Sequence, residues 1–268
     1  MIKLLDDLRL LESIAEAEPY FGALFYAAAT PFIEDTEFMS IWVECDDEGR
    51  AHSAINVTSD SVSVCSDGSP LGAEMLFFIT KLMEDGSIKN IDCDETCFPV
   101  LKSIFDFAEV ENAVQLVLKN RIDMPKIENE IRTEGNIDDV SALMSAAFGE
   151  KTKSELELWY LRMKRCIFKG QTTMLTLYDD GRAVSTASIR GRTEKAGAIT
   201  SVVTLPEYRH RGFASHLTAL CSNMLIDEHR EVWLVPANPD VRKMYEKLGF
   251  EYAKNYYCLH FNEKEEIK

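Results

Sequence analysis

The chain has 268 residues, of which 46% are hydrophobic and 28% charged, with a formal net charge of -16. This balance excludes a disordered chain and leaves room for one large domain or two modest ones. The acidic excess excludes bulk binding to nucleic acid or to an anionic membrane, since both need a basic surface.

The opening segment MIKLLDDLRLLESIAEAE spaces its leucines as a helix does, and acids interrupt its apolar positions. It therefore reads as no signal peptide. No apolar run approaches the ~20 residues needed to span a bilayer. A soluble, cytoplasmic protein is expected. The seven cysteines are odd in number and scattered, which predicts reduced, mostly buried thiols and no disulfide framework. Cys93 and Cys97 form a CxxxC pair without a matching Cys/His pair at zinc spacing, so no metal site is expected.

Two strand-prone runs, FMSIWVEC and RAHSAINV, flank the turn Asp46-Asp47-Glu48-Gly49. Acidic turn residues with a glycine between such runs predict a hairpin. A third strand (SVSVCS), a helix over Ala73–Met83, a short strand (IKNID), a helix over Cys97–Phe107 and a last strand (NAVQLVLK) follow. The segment Arg121–Lys126 reads as a join, because Pro125 cannot continue a central ladder.

The second half repeats this rhythm. TTMLTLY and RAVSTASI flank Asp179-Asp180-Gly181; AITSVVTL, a helix over Arg211–Glu228, EVWLV, a helix over Pro239–Leu248 and NYYCLHF follow. Antiparallel strands leading into a βαβ crossover predict an α/β (α+β) fold. We expect two tandem domains, 1–124 and 125–268, each a mixed, mostly antiparallel sheet flanked by helices.

The chemistry is concentrated in Ser201–Ala214, SVVTLPEYRHRGFA. A strand end leads through a basic, glycine-containing loop into a helix start. Amides there lack intrahelical partners, and the helix dipole adds positive potential, so the loop is an anion site suited to a diphosphate. Small Gly212 and Ala214 let a phosphate approach the backbone, while Arg209 and Arg211 add charge. Neither a P-loop (GxxxxGK[ST]) nor a GxGxxG fingerprint is present. Downstream, Asn238 has the place of an N-cap, Pro239 of the first helical residue and Gly249 of the helix end. Tyr245 lies close to two turns beyond Asn238, on nearly the same face; without the loop it would read as a core aromatic.

Arg209-x-x-Gly212-x-Ala214, then Asn238, Tyr245 and Gly249-Phe250, resembles the signature of the GCN5-related N-acetyltransferases, and within them the FR47-like group. Val241 replaces a usual alanine. The likeness runs from about Lys126 to the end, and Ile137–Phe148 and Ser154–Phe168 look like that family's first two helices. The resemblance implies acetyl-CoA as acyl donor and no metal. Its diphosphate would take the backbone of Arg209, His210, Arg211, Gly212, Phe213 and Ala214. Its pantetheine would pair with Ser201, Val202 and Val203, with the Val203 amide polarising the thioester carbonyl. Asn238 would bind the cofactor arm, and Tyr245 would protonate the departing thiolate. The acceptor would be a small-molecule or peptide amine. The alternative is an acyl-CoA sensor without turnover.

The general base stays open. Some relatives have a glutamate five residues before the asparagine, where this chain has Trp233; Glu194 and Glu207 read better as solvated residues. The first half lacks the arginines, the asparagine and the tyrosine, and carries Asp67 and Glu74 beside Gly72-Ala73, acids that would repel a diphosphate. It is expected to be a degenerate copy that covers the site, shapes the acceptor pocket or mediates contacts in a homodimer.

Overall fold

The computed structural model describes residues 1–58, 60–84, 86–124, 127–133, 137–148 and 153–261; Pro125 and Lys126 of the expected join lie outside them. Two compact units emerge. One comprises Met1–Leu116, Val235–Ala237 and the chain from Tyr252; the other comprises Val117–Leu234 and Asn238–Glu251.

The first unit opens on a strand where helical spacing was expected. β1 (Ile2–Leu4) pairs antiparallel with β2 (Ile41–Cys45), Ile2 opposite Glu44. The Leu5 amide donates to the Ile41 carbonyl, and the Leu5 side chain is fully buried. Ladder bonds and burial outweigh the weak helical preference of a few leucines. Helix follows only afterwards, as a 3-10 turn at Leu8–Leu11, then α1 (Glu12–Ala17) and α2 (Pro19–Ala29).

β2 and β3 (Ala51–Val57) form the expected acidic hairpin, and β4 (Ser61–Ser66) pairs antiparallel with β3. α3 (Ala73–Glu84) then crosses to β5 (Asn90–Cys93), which runs parallel to β4. α4 (Phe98–Ile104) and β6 (Glu109–Leu118) follow. Val62, Val64, Met75, Ile79, Ile91 and Leu101 form the core between α3, α4 and the sheet.

The second unit begins with β7 (Glu130–Arg132), a short edge strand not expected from the sequence. α5 (Ile137–Phe148) and α6 (Lys153–Phe168) come next. β8 (Thr173–Asp179) and β9 (Arg182–Arg192) pair through a two-residue turn, Asp179 opposite Arg182. β10 (Ala196–Thr204) pairs antiparallel with β9. α7 (Phe213–Asp227), β11 (Glu231–Leu234) and α8 (Pro239–Lys247) complete the unit. Its strand order is β11-β10-β9-β8-β7. Ile137, Val140, Met163 and Met174 form a core cluster between α5, α6 and β8; Leu217, Cys221 and Leu225 of α7 are fully buried.

The last strand, β12 (Glu251–His260), is antiparallel to β5 with Tyr257 opposite Cys93, so beyond Glu251 it counts with the first unit. The order there is β1-β2-β3-β4-β5-β12-β6. All seven cysteines are free thiols, six of them buried. Among the described residues no helix is long and apolar enough to cross a membrane.

Candidate cofactor cleft

β10 and β11 are parallel neighbours only briefly, with Ala196–Ala198 registered against Glu231–Trp233. β10 runs on through Thr204, held on its other side by β9, and no registered pair joins that stretch to β11. The β9 ladder slips between Ala198 and Ile199 and again between Thr200 and Val203. Ser201 lies within the second slip with φ +54, left-handed for a residue with a side chain. Such an irregularity bends and twists a strand. Ser201 and Val202 are half-buried and Val203 is buried. The parallel pair thus opens, and one side of the opening is a strand edge.

Past Leu205, Pro206–Tyr208 make a 3-10 turn, Arg209 is extended, and His210 and Gly212 have φ +64 and +81. No helix passes through left-handed backbone, so α7 starts at Phe213 and not at the expected Arg211. Gly212 is its N-cap and supplies no side-chain bond. A Cβ built on Gly212 would meet no atom within 4 Å. The helix start is therefore open and carries the dipole's positive end. Arg209, His210, Arg211 and Gly212 are exposed, Phe213 is buried and Ala214 half-buried.

The arginines of the loop are held. Arg209 Nε donates to the Thr204 carbonyl at 3.2 Å. Arg211 lies 3.6 Å from the Asp179 carboxylate, and its guanidinium is 4.9 Å from the centre of the Tyr208 ring. Arg182 approaches the same ring at 5.7 Å and pairs with Glu207 at 3.1 Å. In the sequence Asp179 reads only as a turn residue, and Tyr208 carries no assignment. An acid and an aromatic flanking a basic loop were the available signal.

α8 starts as its residues predict. Asn238 Oδ1 accepts from the amides of Asp240 at 3.1 Å and Val241 at 3.0 Å, with Pro239 behind it. Gly249, at φ +95, ends the helix. Because β10 and β11 are parallel, the helices that follow them begin at the same end of the sheet, the usual location of ligand sites in such folds. Tyr245 is only 4% exposed, and its ring packs 5.7 Å from that of Phe250. Burial pushes the phenol well above its ordinary value, so it keeps its proton at neutral pH.

No base emerges at the positions weighed. Trp233 is buried and donates from Nε1 to Glu231 at 3.3 Å. Glu194 is exposed in the β9–β10 turn, and Glu207 is the partner of Arg182. A cleft of about 430 Å³ opens beside α5, lined by Asp139, Leu143, Arg182 and Leu205 among others. At its side Tyr178 donates to Asp139 at 2.5 Å; burial, then this bond, push the Tyr178 phenol up to about 12. Among the described residues no group of three His, Cys, Asp or Glu could hold a metal ion.

In the first unit the acids expected to repel a diphosphate are engaged elsewhere. Asp67 Oδ1 accepts from the Ser69 amide at 3.0 Å, and Glu74 Oε2 from the Ile2 amide at 2.7 Å.

Residues 137–250 match the family described as Acetyltransferase (GNAT) family. No curated protein matches the sequence. Among solved structures, a Drosophila protein aligns over 98% of this chain and 99% of its own, with TM-score 0.68 and 14% identity. A tandem GNAT protein from the clavulanic acid biosynthesis pathway aligns over 99% of each chain, with TM-score 0.59 and 10% identity. A GNAT-family structure from Novosphingobium aromaticivorans has 19% identity and TM-score 0.46, covering 57% of this chain; the present chain spans 65% of its length. The first two likenesses cover the whole chain and concern the fold, which is that of two tandem α/β units.

Proposed function

This chain carries a domain of the GNAT acetyltransferase family over residues 137–250, and from that premise we propose that its second unit transfers an acetyl group from acetyl-CoA to a primary amine by direct attack. The family's general chemistry is acyl-CoA-dependent acetyl transfer. The observation that carries the assignment is the uncapped start of α7 next to a parallel strand pair that opens. The residues fit the donor: an amide-rich helix start with arginines suits a diphosphate, and a free strand edge suits the amides of a pantetheine arm.

Acetyl-CoA supplies an activated thioester. The amides of Arg209–Ala214 hold its diphosphate. The edge at Ser201–Val203 aligns its arm, and a main-chain N–H on the side of β10 away from β9 polarises the thioester carbonyl. The Asn238 amide nitrogen is left for the arm, since its oxygen caps α8. The amine attacks unprotonated; the C–N bond forms, the C–S bond breaks, and the amine's surplus proton leaves to solvent. Tyr245 gives its proton to the departing thiolate and is reprotonated from water. A buried phenol is suited to this because it stays protonated at neutral pH. No thiol needs a covalent part. The buried Cys221 thiol is held protonated, its pKa pushed up to about 12 by desolvation.

The test is release of free thiol from acetyl-CoA across a panel of small-molecule and peptide amines. Turnover on at least one amine is expected. Saturable acetyl-CoA binding with no turnover on any amine would leave a binding protein without catalysis.

A further inference from the structure

The first unit repeats the order strand, loop, helix, parallel strand, helix, and the two places where its second counterpart is open are filled. Glu44, near the end of β2, is 4% exposed. Its Oε2 accepts from the Gly72 amide at 2.9 Å and from Ser53 Oγ at 3.2 Å; its Oε1 accepts from the Met75 amide at 3.2 Å. His52 Nε2 stands 3.8 Å away. Gly72 and Met75 lie at the start of α3, so this carboxylate occupies the helix's positive end. Gly72 is small because of it: a Cβ there would come within 2.3 Å of Glu44 Oε1.

The strand edge is closed by a second acid. Asp94, fully buried, follows β5 directly. Registered pairing of β4 with β5 ends at Val64 opposite Cys93. Asp94 Oδ2 then accepts from the Ser66 amide of β4 at 2.8 Å, while Oδ1 accepts from the amides of Thr96 at 2.8 Å and Cys97 at 2.6 Å. A side chain ties the strands together just where β10 and β11 part. Buried carboxylates persist only with such donors around them.

We propose that the first unit is a self-liganded copy of the cofactor cleft, with Glu44 seated as its built-in anion and Asp94 bonded to the strand edge. Coenzyme A then has one seat per chain, in the second unit. The identity of what Glu44 replaces rests on the function proposed above; its being an internal ligand does not.

Chemical rescue of the intact chain tests this. Glu44→Ala is expected to lower Tm by about 5 °C or more, from the loss of a buried acceptor with three donors. Sodium formate should restore about half of that loss or more, because it refills the vacated seat. Sodium chloride at the same ionic strength should not. The wild type and Glu44→Gln, whose seat stays full, should respond alike to the two salts. Melting of Glu44→Ala at the wild-type temperature, or equal effects of formate and chloride on it, would overturn the proposal. If Glu44→Ala does not fold, Glu44→Gln carries the test: it keeps the volume but places a donor among donors, and wild-type melting of that variant would overturn the proposal. In calorimetry with desulfo-CoA, one molecule should bind per chain, and its affinity should fall roughly 30–100-fold in Arg209→Glu. Two molecules bound, or unchanged affinity in Arg209→Glu, would overturn it. Absence of binding to the wild type would instead contradict the function of the second unit and leave the formate result standing.

Discussion

At the start of α3 a carboxylate is already in place, and at the start of α7 there is none. Both helices follow a strand and lead to a parallel neighbour, and both start beside a glycine. Gly72 is small to admit Glu44; Gly212 supplies a left-handed turn and leaves open space. The loop before α7 adds Arg209 and Arg211, whereas the loop before α3 has no arginine. One framework thus carries an internal ligand at one helix start and an open, amide-rich start at the other. On the proposal above, the buried Glu44 makes the difference at the helix start, since helix-start amides take an anion presented to them.

Substitutions can break or sharpen this contrast. The largest effect is expected at the closed end. Asp94→Ala leaves three amides, two of them buried, without their acceptor and should cost about 3–5 kcal/mol of stability, read by urea unfolding. Tyr245→Phe, at the open end, should lower kcat about 100-fold while affinity for acetyl-CoA changes little, read by steady-state kinetics and calorimetry. Equal activity would remove its assigned role. Arg209→Glu brings the charge of the first unit into the second. It should weaken acetyl-CoA binding roughly 30–100-fold and spare stability, since Arg209 is exposed.

The Tyr245 phenol titrates well above its ordinary value near 10, and its protonated form is the active one. kcat should therefore show no alkaline fall from this group below about pH 10. The smallest effect is expected at Asp179. It draws Arg211 toward β8 through an exposed contact, so Asp179→Asn should tighten acetyl-CoA binding only about two- to three-fold, and less at high salt.

The parts of the site fixed by near neighbours were legible in the sequence. Asn238, Pro239 and Gly249 bound a helix by local capping, and the proposed anion loop at Arg209–Ala214 stands out by composition alone. Helix α7 nevertheless starts at Phe213, because the left-handed turns at His210 and Gly212 stop it from starting at Arg211. What escaped depends on contacts between distant residues. Glu44 is 28 residues from Gly72 and 31 from Met75, and strand alternation alone does not reveal which helix start it meets. Asp67 and Glu74 stand nearer in sequence, yet they bond to the Ser69 and Ile2 amides and not to the amides that Glu44 holds. β1 reads as helix because leucine spacing says nothing of an available sheet edge, and β12 joins β5 through a register that no local signal specifies.

The most direct measurement is a crystal structure of the chain with coenzyme A bound. The account predicts the diphosphate on the backbone amides of Arg209–Ala214, with the arm along Ser201–Val203 and the start of α3 still held by Glu44. A nucleotide bound elsewhere, with the α7 loop bare, would contradict it.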